Sequence, residues 1–200
     1  MSSRKLSLAD IADLRAYERE RDEFRAQVIA LKKRRRVHVG PFVTIVFENR
    51  DTIRFQIQEM ARVERLMTDE AIQTELDIYN PLIPEPGSVA ATLFIELTDE
   101  DQLRTWLPRL VGIETAVAFR VGAGDEAETV RCVVDPAHAR TLTRDDVTAS
   151  VHYIHFEFTE GQVELFERGP ATLLLDHHDY GYETVLGPDT CAELLADLRP

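Results

Sequence analysis

Two stretches of the sequence concentrate side chains capable of chemistry. Asp176-His177-His178-Asp179 sets two imidazoles between two carboxylates, groups that bind a divalent metal or exchange protons near neutral pH. The stretch lacks His-x-x-x-His or carboxylate-x-x-His spacing, and the same four residues suit a capped turn at a strand end. The second stretch, Asp51 to Met67, reads DTIRFQIQEMARVERLM and carries three arginines, three acidic residues and two glutamines. No Gly-rich phosphate loop, nucleophile elbow or zinc signature occurs in the chain, and no metal-binding cysteine pair is present.

The elements that must position these residues follow from periodicity. At about 100° per residue, Phe55, Leu66, Val63, Met67, Met60, Ile53, Ile57 and Ala61 cover a wide arc of a helix, and Arg54, Gln58, Arg62 and Arg65 fill the rest. Gln56, Glu59 and Glu64 fall inside the apolar arc, so burial would oblige them to find hydrogen-bond or ionic partners. Asp51 offers an acceptor and a negative charge at the start. A rival reading is a strand, because Ile53, Phe55 and Ile57 alternate with polar residues and could form a hairpin with Phe42 to Glu48.

Upstream, Leu6 to Leu14 reads as a short helix entered through Ser7, and Tyr17 to Lys33 as a longer one with Phe24, Val28 and Leu31 on one side. Val37 to Val39 and Phe42 to Phe47 flank a Gly40-Pro41 turn as a strand pair. A further helix starts at Thr68 and ends at Asn80-Pro81. The proline-rich segment Pro81 to Ser88 separates a helical half, 1–84, from a sheet half, 85–200, unless the two form one continuous domain. In the second half, Ala91 to Thr98 and Val151 to Thr159 are each followed by a helix start and a strand, Glu114 to Val121 and Ala171 to His178. Thr159 with Gln162 makes a capping box, and Thr98 with Asp101 imitates one. Glu128 to Val134 suits a hairpin partner for 114–121. The expected class is therefore α+β: a helical N-terminal half with a strand pair, and a ferredoxin-like mixed or antiparallel sheet built from two β-α-β units. Parallel strands would bring His177 to the carboxyl edge of that sheet, where open α/β sheets bind ligands. His152, on one face with Ile154, Phe156 and Phe158, reads as a core histidine.

Charge and composition narrow the function classes. Residues 1–36 hold eleven Lys or Arg against six Asp or Glu, whereas residues 37–200 hold twelve against thirty, giving +5 and −18 within a total of −13. So acidic a body repels phosphates, which argues against nucleic acid. The run Lys32 to Arg36 suits a helix C-terminus, where positive charge complements the dipole, and either a solvated end or a clasp on the acidic body. Two scattered cysteines, Cys132 and Cys191, and the lack of an apolar stretch of membrane-spanning length point to the cytoplasm.

FENRDTIRFQIQEMARVER at 47–65, FRAQVIALKKRRRVHVGP upstream, ELDIYNPLIP at 75–84 and LLLDHHDY resemble a bacterial family, the domain of unknown function numbered three thousand five hundred and one. The resemblance points to Glu48, Asn49, Arg50, Gln56, Gln58, Glu59, Arg62, Glu64, Asp176, His177 and Tyr180. It departs at His178-Asp179, where the family more usually has His-Pro. It implies a genomic neighbourhood with rubrerythrin-like and iron-sulfur oxidoreductase proteins. The expectation is a cytoplasmic accessory or partner protein of a redox or oxidative-stress system rather than an enzyme. Its protein partner would be rubrerythrin-like or an iron-sulfur oxidoreductase, or a second copy of itself. The alternative is a metal- or small-ligand-binding enzyme with Asp176 and His177 facing the central helix. No cofactor is expected, unless His177 holds a divalent metal.

Overall fold

The computed structural model describes residues 4–134 and 146–199. The described residues form eight strands, β1 (Arg36–Val39), β2 (Val43–Glu48), β3 (Ser88–Ile95), β4 (Val117–Val121), β5 (Glu128–Val133), β6 (Val151–Glu157), β7 (Ala171–His177) and β8 (Tyr180–Val185). Six helices accompany them among the described residues: α1 (Leu14–Arg35), α2 (Arg50–Glu64), α3 (Asp69–Tyr79), α4 (Glu100–Trp106), α5 (Glu160–Arg168) and α6 (Pro188–Leu198). Among the described residues, no helix is long and apolar enough to cross a membrane.

All strands join one antiparallel sheet in the order β1-β2-β3-β6-β5-β4-β7-β8. The sheet curls until its first and last strands meet. There Tyr180 Oη donates to Val39 O at 2.8 Å and accepts from the amides of Phe42 and Val43, while Thr184 Oγ1 donates to His38 O. Side chains thus close a barrel that the backbone ladder leaves open at one seam. Alternation along the strands fills the interior with Val43, Ile45, Phe47, Leu93, Phe119, Phe156 and Leu173. Strands β2 and β3 are buried on both faces because helices cover them outside. Strands from both sides of Pro81 to Ser88 belong to this sheet, β2 pairing β3.

The ferredoxin-like expectation is corrected. Neither β3 and β4 nor β6 and β7 are neighbours, since each pair is three antiparallel steps apart. Helix length supplies the reason. α4 has seven residues and α5 nine, which at 1.5 Å per residue rise about 10 and 14 Å. An eight-residue strand such as β3 spans about 26 Å, so neither helix carries the chain back for a parallel return. The chain steps sideways instead and re-enters antiparallel. The strand pairs read at 37–39 with 42–47 and at 114–121 with 128–134 form, the second with a shorter first strand, Val117–Val121, because Ile113–Thr115 make a helical turn.

The central helix is a helix, with two adjustments. Its cap is Asn49, whose side chain accepts from the amides of Asp51 and Thr52. It ends at Glu64 because Arg65 adopts a left-handed conformation, φ 56° and ψ 46°, so Leu66 and Met67 lie beyond it. Its buried side is Thr52, Ile53, Ile57, Gln58 and Ala61. Val63 and Met67 are exposed, at 66% and 83%. Gln58, assigned by periodicity to the polar side, is fully buried because its amide pairs with the backbone of Ala12, accepting from N at 2.7 Å and donating to O at 3.2 Å.

Candidate ligand-binding site

β2 ends and α2 begins within two residues, and this tight junction creates the site. Glu48, the last residue of β2, points outward by strand alternation, away from the barrel interior and toward the helical layer. Thr52 follows one turn into α2, so its hydroxyl reaches back to Glu48 Oε2 at 2.6 Å. On the neighbouring strand Thr92 also faces outward, and its hydroxyl donates to Glu48 Oε1 at 2.7 Å. Glu48 is only 6% exposed. The two threonine hydroxyls are its carboxylate's hydrogen-bond donors among the described residues. Arg35 fixes the strand end from behind, donating to the carbonyls of Phe47 and Glu48.

Glu48 lines a cavity of about 130 Å³ between the sheet and its helical roof. Tyr153, the register partner of Thr92, rises from β6 beside Val151. Phe94 comes from β3, Ile53 and Gln56 from α2, and Lys32 from the last turn of α1. Tyr79 at the end of α3 and Leu82 in the turn after it complete the wall. Burial first, then the neighbouring Tyr79 and Glu48, push the Tyr153 phenol upward, so it stays a hydrogen-bond donor near neutral pH. The cavity therefore offers a buried acceptor, an ammonium, two phenols and an amide above an apolar strip. Such convergence of a few polar groups on a partly apolar recess is what small-molecule sites share.

Of the residues singled out from sequence, Glu48 and Gln56 meet here. The others lie elsewhere. Arg50 pairs with Asp10. Glu59 accepts from Tyr17 Oη and Arg21 Nε, each at 2.8 Å, and from Arg62 Nη2 at 3.1 Å. That network holds Glu59 down to about 2, chiefly through Arg21. Glu64 is exposed. Asp176 is exposed as well, but His177 is buried, its Nε2 facing Val111 O at 3.1 Å and its Nδ1 accepting from the Asp179 amide. None of the hydrogen bonds of His177 among the described residues goes to α2. Tyr180 belongs to the barrel seam. His152 is the satisfied core histidine expected, facing Thr148 Oγ1 and Ala149 O at 2.9 Å each. Among the described residues no group of three His, Cys, Asp or Glu side chains gathers to hold a metal ion.

Lys32, Tyr79, Thr92 and Tyr153 were not singled out from sequence as site residues. A signal existed for Thr92 and Tyr153, polar residues on the outer face of strands whose other face is apolar. Nothing local marks Lys32, which sits in a basic run that reads as a helix end.

A family model described as "Protein of unknown function (DUF3501)" matches residues 5–198. A crystal structure of a novel protein of unknown function from Burkholderia pseudomallei K96243 is similar across 97% of this chain and 99% of that chain, at 37% identity and a TM-score of 0.87. No curated protein matches the sequence.

Proposed function

We propose that this protein, which belongs to the DUF3501 family, binds a small polar molecule in the cavity above Glu48. The observation that carries the reading is a nearly buried carboxylate, held among the described residues by two hydroxyls, lining a cavity with free volume. Burying a carboxylate is costly unless its acceptor positions are filled. Two hydroxyls leave part of that capacity open, and a ligand N–H or O–H completes it. The test is a fragment screen by NMR on isotope-labelled protein, using small amides, alcohols, amines and acids. Binding should perturb the amides of Gln56, Thr92 and Tyr153, and Glu48→Gln should weaken it at least tenfold, since a hydrogen bond to a charged group contributes about 1.5–3 kcal/mol. Perturbations that cluster away from these residues, or that ignore the substitution, sink the reading.

A second reading is a cytoplasmic accessory protein of a redox system, and one feature favours it. A groove of about 410 Å³ runs between the N-terminal segment and α3, lined by Leu8, Ile11, Leu14, Leu66, Met67 and Ile72. Met67 stands exposed there, and Val63 is exposed near the end of α2. With a net charge of −13, the occupant that fits is a partner protein presenting an apolar anchor within a basic surface. A rubrerythrin-like or iron-sulfur oxidoreductase protein is the class that resemblance suggests. Met67→Glu should abolish co-purification with such a partner while leaving fragment binding at Glu48 intact.

A further inference from the structure

In the basic run 32–36 the three arginines are ion-paired among the described residues and the two lysines are not, Lys33 being exposed to solvent. Arg34 reaches Glu193, Arg35 reaches Glu193 and Asp197, and Arg36 reaches Glu96. Lys32 differs. It is half-buried, it lines the cavity, and among the described residues it makes neither an ion pair nor a hydrogen bond. Glu48 lines the same cavity, yet no ion pair joins the two. An anionic and a cationic group thus face one small space without neutralising each other. The rest of the lining includes the apolar Ile53, Leu82, Phe94 and Val151 and two phenols, Tyr79 and Tyr153.

Resting on the reading that the cavity is a ligand site, we propose that its ligand is a small zwitterionic amino acid, with its ammonium on Glu48 and its carboxylate on Lys32. Opposite charges at the two ends of one short molecule answer the anionic and the cationic group of one lining. The volume of about 130 Å³ is close to that of an engineered apolar cavity of about 150 Å³ that takes up benzene, which suits a short chain. The apolar strip suits one to three methylenes between the head groups. A simple amine leaves Lys32 unanswered, and a simple acid leaves Glu48 so.

The experiment titrates the full chain by calorimetry and NMR with glycine, 3-aminopropanoate and 4-aminobutanoate. Propylamine, propanoate and neutral propanamide serve as matched single-headed probes. The best zwitterion should bind at least tenfold more tightly than propylamine or propanoate. Lys32→Met should erase its advantage over the amine, and Glu48→Gln its advantage over the acid. Both substituted proteins should keep the wild-type amide spectrum away from the cavity. If propylamine or propanamide binds at the cavity as tightly as every zwitterion, or if Lys32→Met changes nothing, the zwitterion assignment falls while the cavity reading stands. If no probe of any class perturbs the cavity amides, both fall together.

Discussion

Glu59 shows what a single residue's type and spacing disclose. A carboxylate inside an apolar arc must find donors, and it does: Tyr17, Arg21 and Arg62 converge on it from two helices. Because its folded value of about 2 lies below the ordinary 4.5, it contributes stability that is complete above the ordinary value and is lost as pH falls through the folded one. The melting temperature should therefore decline between pH 4.5 and about 2, and Glu59→Gln should flatten that decline. Parallel pH titrations of thermal unfolding check this, and an equal slope in both proteins would contradict it. The same reasoning misplaced Glu64, because burial depends on which side of α2 meets the sheet. Periodicity gives an apolar arc but not the neighbour that covers it, so Gln58, clasped by Ala12, went to the buried side and Val63 to solvent. Glu48 came from resemblance, and Gln56 from periodicity as well as resemblance. Their meeting with Lys32 and Tyr153 depends on pairings between distant strands, which no local pattern encodes.

Between elements, two contacts decide how the helical layer and the barrel seam are held. Arg35, 1% exposed, leaves α1 and donates to Phe47 O and Glu48 O on β2 and to the Glu193 and Asp197 carboxylates on α6. It thereby ties three elements at the base of the cavity. Arg35→Ala removes the donor to two carbonyls and the arginine partner of the part-buried Asp197, while Glu193 keeps Arg34. The expected loss is about 3–5 kcal/mol, read as a lower urea midpoint. An Arg35→Lys variant should recover only part of it, since an ammonium lacks the planar fork that spans these acceptors. The β1–β2 turn makes a sharper demand. Gly40 has φ +74°, and a Cβ there would lie 2.6 Å from Tyr180 Oη and 2.7 Å from the Tyr182 ring. Gly40→Ala therefore combines backbone strain of order 1–2 kcal/mol with displacement of the tyrosine that closes the seam. Faster hydrogen exchange at the amides of Phe42 and Val43 is the expected signature. The Gly-Pro turn was legible as a turn, but its role as the seat of Tyr180 is not visible until β8 is placed beside β1.

At the scale of the molecule, the sequence discloses its strands far better than their partners. β1 and β6 show a clear alternation, whereas β2 and β3 are buried on both faces, and both patterns are equally satisfied by a ferredoxin-like sheet and by this barrel. Only the short reach of α4 and α5 against the strands they follow separates the two, and that comparison needs element boundaries that periodicity fixes loosely. The proline-rich segment 81–88 carries a similar ambiguity, since a linker and a loop between paired strands share one composition. The sheet supplies a physical expectation. β2 pairs with β3 along six residues, Val43 to Glu48 against Ile95 to Ala90, and β8 returns to β1 through Tyr180 and Thr184. A fragment 1–84 would keep α1, α2 and α3 but expose the outer edge of β2. A fragment 85–200 would lose the two strands that complete its barrel and leave Val89, Leu93 and Phe119 facing solvent. Neither fragment alone should give a dispersed amide spectrum or a cooperative thermal transition. The full chain should unfold in one step, and mixing the two fragments should restore part of the native spectrum through the β2–β3 and β8–β1 contacts. An independently folded 85–200 fragment, with native-like dispersion, would instead establish that its six strands close without β1 and β2.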